Sequence, residues 1–205
     1  PIQGLGGARN CADRESLTIG DAAARNIEAA VWWAVQAGLP LNRFWSIHWQ
    51  LAGVCDPLKA TGRFLKLYGD YLRRHGVEPA YVWVREGGAA KGEHVHILAH
   101  APPGMHVARR QRAWLTQCGA AWRLGVLNSR PVGRIYTDAW QAPDGYEANL
   151  ETVLRYVLKG GEAQTCAWLG MDHAPQGRLI GKRCGVSQNL GAAARLKAVY
   201  HDTLG

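Results

Sequence analysis

The sequence predicts an α+β domain, one central antiparallel sheet flanked by helices. Stretches of helical periodicity alternate with short aromatic and β-branched runs in the order α, β, α, β, β, α, β, α, followed by a tail. Two of the runs, 80–86 and 93–101, are separated by "GGAAKG", a hairpin-loop composition. One antiparallel sheet covered by helices is the natural packing for that order.

Residues 1–20 are Gly-rich and irregular and read as an arm; the chain opens on Pro1, which fits a trimmed start. "DAAARNIEAAVWWAVQAG" (21–38) reads as a helix capped by Asp21 and ended by Gly38. "RFWSIHWQLAG" (43–53) reads as a strand, and "PLKATGRFLKLYGDYLRRHG" (57–76) as a helix with Gly69 as its weak point. Strands follow at "AYVWVRE" (80–86) and "EHVHILAHA" (93–101). "HVARRQRAWLTQCGAAWRLG" (106–125) is a basic amphipathic helix and "RPVGRIYTDAW" (130–140) a candidate strand. "YEANLETVLRYVLKG" (146–160) is a helix closed by Gly160 and Gly161. The tail 177–191 looks like a loop and 191–203 a short helix. No low-complexity linker divides the chain. It reads as one domain with an N-terminal arm and helix, residues 1–42, ahead of residues 43–205.

The chain has 205 residues, about half of them apolar, with a formal net charge of +8. With a pI near 9.5, this balance suits a polyanionic partner, nucleic acid or an acidic membrane surface. Five cysteines without a CxxC pair fit reduced thiols and a cytoplasmic or nucleoid-associated protein. A zinc site from Cys166, His173 and Cys184 is conceivable, although their spacing matches no common pattern. No apolar run is long enough for a membrane span, and no secretory signal is visible.

The chemistry concentrates in "REGGAAKGEHVHILAH" (85–100). Side chains two apart on a strand share a face, so His94 and His96 project together. Folding the hairpin symmetrically about Ala90 sets Glu86 opposite His94, with Cβ atoms about 5 Å apart. A slip of one residue would destroy this arrangement. Two imidazoles and one carboxylate then converge and leave coordination positions open, as a catalytic metal requires. Mn, Mg, Fe, Co and Zn all suit such ligands. His100 lies about 13 Å further along the strand, Glu93 points to the other face, and His48 could line the site or replace a ligand. The same residues also read, without a metal, as histidines satisfied by neighbours or water.

A second cluster lies on "NLETVLRYVLKG" (149–160). Leu150, Val153, Leu154, Val157 and Leu158 form its apolar stripe, while Tyr156 faces away together with Asn149, Thr152 and Lys159. An exposed tyrosine beside a solvated lysine is one reading. The other is a nucleophile: a phenol titrates near 10 and a nearby cation favours the phenolate. A phosphodiester polarised by a divalent metal is then the plausible electrophile.

His94-Val95-His96 followed by Tyr156-Val157-Leu158-Lys159 resembles the HUH endonucleases, in which His-hydrophobic-His precedes a helix carrying YxxK. "FWSIHWQL" stands where that family has its first strand motif, and Glu86 resembles the third metal ligand of single-tyrosine rolling-circle replication initiators. The resemblance spans about residues 44–160 and implies that 43–205 is a compact catalytic domain. It implies a site-specific single-stranded DNA nickase and strand transferase. Glu86, His94 and His96 would hold Mn²⁺ or Mg²⁺. Tyr156 would take the 5′-phosphate and free a 3′-OH, with Lys159 assisting. The DNA would be an origin hairpin or nick site on a plasmid, phage or related mobile element. The sequence has no Walker A motif, so a host helicase or a longer parent chain is implied.

Lys182, Arg183, Ser187 and Asn189 in the tail, and Arg109 and Arg110 on the basic helix, are candidate DNA contacts. Among the nine tryptophans, Trp32, Trp33, Trp45, Trp49 and Trp83 read as core, with room for one or two to stack on unpaired bases. Two other functions fit the residues. A non-catalytic single-strand-binding sheet would bind without metal. A metallohydrolase using metal-bound water would not need Tyr156.

Overall fold

The computed structural model describes residues 13–88, 92–132, 139 and 142–202. The α+β class holds: five antiparallel strands form one sheet with helices on both faces. The elements run β1 (Glu15–Ser16), α1 (Asp21–Gln36), β2 (Arg43–Ile47), α2 (Pro57–Arg73), β3 (Tyr81–Gly88) and β4 (Gly92–Ala99). Then come α3 (Ala108–Gln117), β5 (Leu127–Pro131), α4 (Pro143–Leu158), α5 (Ala163–Trp168), β6 (Leu179–Ile180), β7 (Cys184–Val186) and α6 (Ala192–Asp202). The sheet order is β5-β2-β4-β3-β7, and β1 pairs with β6 in a separate two-stranded ribbon.

Period-two alternation divides the interior. Phe44, Val82, Val84 and Leu98 point to one face, where Ala24, Ile27 and Val31 of α1 and Leu150, Leu154 and Leu158 of α4 cover them. Trp45, Ile47, Trp83, Val95 and Ile97 point to the other, against Phe64 and Tyr68 of α2 and Trp114 of α3. The division at residue 42 therefore falls between α1 and β2, two elements that share a core.

Several boundaries differ from the sequence reading. The helix cap is Gly20, not Asp21. Asp21 instead accepts from Arg25 at 2.8 Å and from Thr165. The strand 43–53 ends at Ile47, because the chain then turns to bury Trp49, whose indole N–H donates to Thr61. The basic helix stops at Gln117, just before Gly119 at φ 81. The strand sought at 130–140 starts earlier, at Leu127; residues 133–138 and 140 lie outside the described residues. α4 starts at Pro143, a residue preformed for the first turn. The tail is more ordered than a loop: β7 extends the sheet beside β3, with Val82 opposite Val186.

Candidate metal centre

The hairpin register places Glu86 opposite His94, as loop symmetry predicts. All three side chains are buried: Glu86 is 2 %, His94 4 % and His96 3 % exposed. Glu86 Oε2 lies 3.3 Å from His94 Nε2 and 3.6 Å from His96 Nε2. One ligand atom from each residue lies within 4.8 Å of the others. The two imidazoles stand nearly perpendicular, at 86°.

The surroundings orient the rings. His94 Nδ1 donates to the Gly92 carbonyl at 2.9 Å, which leaves the Nε2 lone pair facing Glu86. His96 Nδ1 is 2.8 Å from the buried Ser46 hydroxyl. Ser46 is opposite His96 in the β2–β4 register, so the strand pairing itself supplies this partner. His96 Nε2 is buried with no hydrogen-bond partner among the described residues. An orphaned imidazole nitrogen aimed at a buried carboxylate fits a metal ion, since a bound cation would satisfy both. Two nitrogens and one carboxylate oxygen can hold such an ion and leave positions open for a substrate.

The carboxylate is divided between two tasks. Oε2 faces the rings, while Oε1 accepts from Lys159 Nζ at 2.5 Å. Burial pushes the Glu86 carboxyl up, but the facing His94 and His96 imidazoles and the Lys159 ammonium outweigh it and hold Glu86 ionised, well below the usual range. Burial pushes the His96 imidazole below its ordinary value, favouring the neutral form a metal needs.

Tyr156 stands at the edge of this cage. Its ring centroid is 5.2 Å from that of His96, and the residue is 41 % exposed. Phe44 stacks on His96 at 5.4 Å and meets Tyr156 edge-on at 6.2 Å. Lys159 lies over the Tyr156 ring, 4.0 Å from its centroid. A lysine at this spacing favours phenolate, yet the Lys159 ammonium pairs with Glu86 and covers the ring face. Burial and the Glu86 charge instead raise the Tyr156 phenol, against the lowering effect of Arg130. His48 lines the site, stacked on His94 at 4.9 Å. Glu93 points to the opposite face and pairs with Arg85. His100 is held elsewhere, its Nδ1 bonded to the Pro40 carbonyl.

The candidate DNA contacts scatter. Arg183 is buried, not at the surface: it donates to the Ser16 hydroxyl and to the Ser16 and Gly177 carbonyls, tying arm to tail. Ser187 is also buried, accepting from the Tyr81 amide and donating to Asn189. Lys182 is exposed, near the Trp83 ring. Arg109 and Arg110 are exposed on α3, whose Trp114 and Leu115 pack into the core on the sheet face opposite the cage. Trp45, Trp49 and Trp83 are buried as expected, and Trp32 and Trp33 pack against the core. Cys166 Sγ points at the Leu158 and Gly161 carbonyls and His173 at Gly161, so neither belongs to a metal cluster among the described residues.

Sequence reasoning did not single out Ser46, Phe44 or Arg130. Ser46 is a polar residue in an apolar strand, a usable signal, but its partner emerges only from the register. No helix among the described residues is long and apolar enough to cross a membrane. Compared with known proteins, the chain matches no family model, no curated protein and no solved structure.

Proposed function

We propose that this protein is a metal-dependent, single-tyrosine endonuclease and strand transferase of the HUH type, acting on single-stranded DNA. The observation that carries this reading is the neighbourhood of Tyr156 and the cage: a partly exposed phenol ring stands edge-on to His96 of a buried Glu86-His94-His96 cluster. When bound, Mn²⁺ or Mg²⁺ would polarise the scissile phosphoryl group. Tyr156 Oη would attack phosphorus as the P–O3′ bond breaks, giving a 5′-phosphotyrosine and a free 3′-OH. The phenol proton passes through solvent to the departing oxygen. A later 3′-OH can reverse the step, so the phosphotyrosine conserves the bond energy. Rolling-circle replication of a mobile element is the process such chemistry would initiate. Lys159 would hold Glu86 with Oε2 turned towards the metal, and the net positive charge would favour the strand.

The test is a denaturing gel after incubation with single-stranded DNA and Mn²⁺ or Mg²⁺. Wild type should form a covalent adduct that chelator abolishes; Tyr156→Phe and His94→Ala should form none. Cleavage that survives Tyr156→Phe would point to metal-bound water instead. Binding without metal dependence or adduct would point to a non-catalytic module.

A further inference from the structure

We infer that Arg130 is a catalytic residue of this transfer, the guanidinium that grips the attacking oxygen of Tyr156 and a non-bridging oxygen of the scissile phosphate. The inference rests on the nickase reading and assigns a role that Lys159 leaves vacant. Lys159 Nζ is committed to Glu86 Oε1 at 2.5 Å, and its side chain is only 20 % exposed. A nucleophilic phenol in a half-buried position beside a carboxylate needs a different cation.

The fold supplies one. Arg130 lies on β5 directly opposite Phe44 of β2, so both side chains project from the same sheet face as Ser46 and His96. The Arg130 guanidinium sits 5.0 Å over the Phe44 ring. The same ring stacks on His96 and meets Tyr156 edge-on. One aromatic side chain thus holds the cation, the nucleophile and a metal ligand against one another. No carboxylate of the described residues pairs with Arg130, and the residue is exposed, so an incoming phosphate can reach it.

A guanidinium suits the task. Its fork of N–H donors can bond two oxygens at once and stays charged at any working pH. In the balanced step, Tyr156 Oη loses its proton and bonds phosphorus, and O3′ leaves and takes up a proton. Arg130 neither gains nor loses one. It stabilises negative charge on the attacking oxygen and on the phosphoryl group as they approach each other.

The experiment measures adduct formation by wild type, Arg130→Ala and Arg130→Lys with Mn²⁺ and a single-stranded oligonucleotide, over a range of DNA concentration. Arg130→Ala should slow the reaction at saturating DNA roughly 10²–10³-fold, the usual loss for one charged donor. Arg130→Lys should restore part of the rate. Melting temperature should be unchanged, because the side chain is exposed. An Arg130→Ala rate equal to wild type at saturating DNA would overturn the inference while leaving the nickase reading intact. So would a defect that more DNA removes, the mark of an ordinary backbone contact. No adduct from wild type would refute the nickase reading, and the role of Arg130 with it.

Discussion

Replacing Ser46 with alanine tests how the cage is oriented. The Ser46 hydroxyl is 2.8 Å from His96 Nδ1, and the serine is 9 % exposed. Alanine would leave that nitrogen buried without its partner, at a cost of about 1–3 kcal/mol. At about 1.4 kcal/mol per tenfold, metal affinity should fall roughly 5- to 150-fold. That range contains the roughly 10–100-fold typical of lost outer-shell partners of metal-bound histidines. Titration calorimetry of chelator-treated protein with Mn²⁺ measures it directly, and Ser46→Thr, which keeps the hydroxyl, should recover most of the affinity. An alanine variant that folds normally and binds Mn²⁺ as wild type does would refute the claim that Ser46 fixes His96.

The metal-free protein should melt at lower temperature as pH falls from about 7.5 to 5.5. His96 and His100 are both pushed down by burial, so below the unfolded value near 6.5 protons favour the unfolded chain, by at most about 1.4 kcal/mol per imidazole per pH unit. A flat or rising melting profile would contradict this. Glu86, likewise held below its own ordinary range, adds stability that is lost only below the ordinary carboxylate values. Gly177→Ala should destabilise by at least about 2 kcal/mol, because φ is 71 and a Cβ would lie 2.0 Å from the Gly87 carbonyl oxygen. Chemical denaturation measures this, and because Gly87 adjoins Glu86, metal affinity should fall too.

The hairpin was legible in the sequence because its information is local. A glycine-rich loop, period-two alternation and residues equidistant from Ala90 fix which side chains face each other. The stripe on α4 was legible for the same reason, since helical periodicity alone separates Tyr156 from Leu154 and Leu158. The two- and three-residue strands β1, β6 and β7 were not, because such short pieces carry no periodicity and exist through partners far away in sequence. Arg183 and Ser187 misled for that reason: a basic, polar tail reads as solvated until Ser16, Gly177 and Tyr81 close around it. The partner of Lys159 was hidden in the same way. Its spacing from Tyr156 suggested a local pair, while the carboxylate it binds is 73 residues distant.

The central claim is that Glu86, His94 and His96 grip one divalent cation beside Tyr156. Anomalous diffraction from crystals grown with Mn²⁺ tests it most directly. A single peak at about 2.0–2.3 Å from Glu86 Oε2 and from both Nε2 atoms is the predicted result, these being normal ligand distances. A peak elsewhere, or a cage that stays empty at saturating Mn²⁺ while the rings keep their positions, would contradict it.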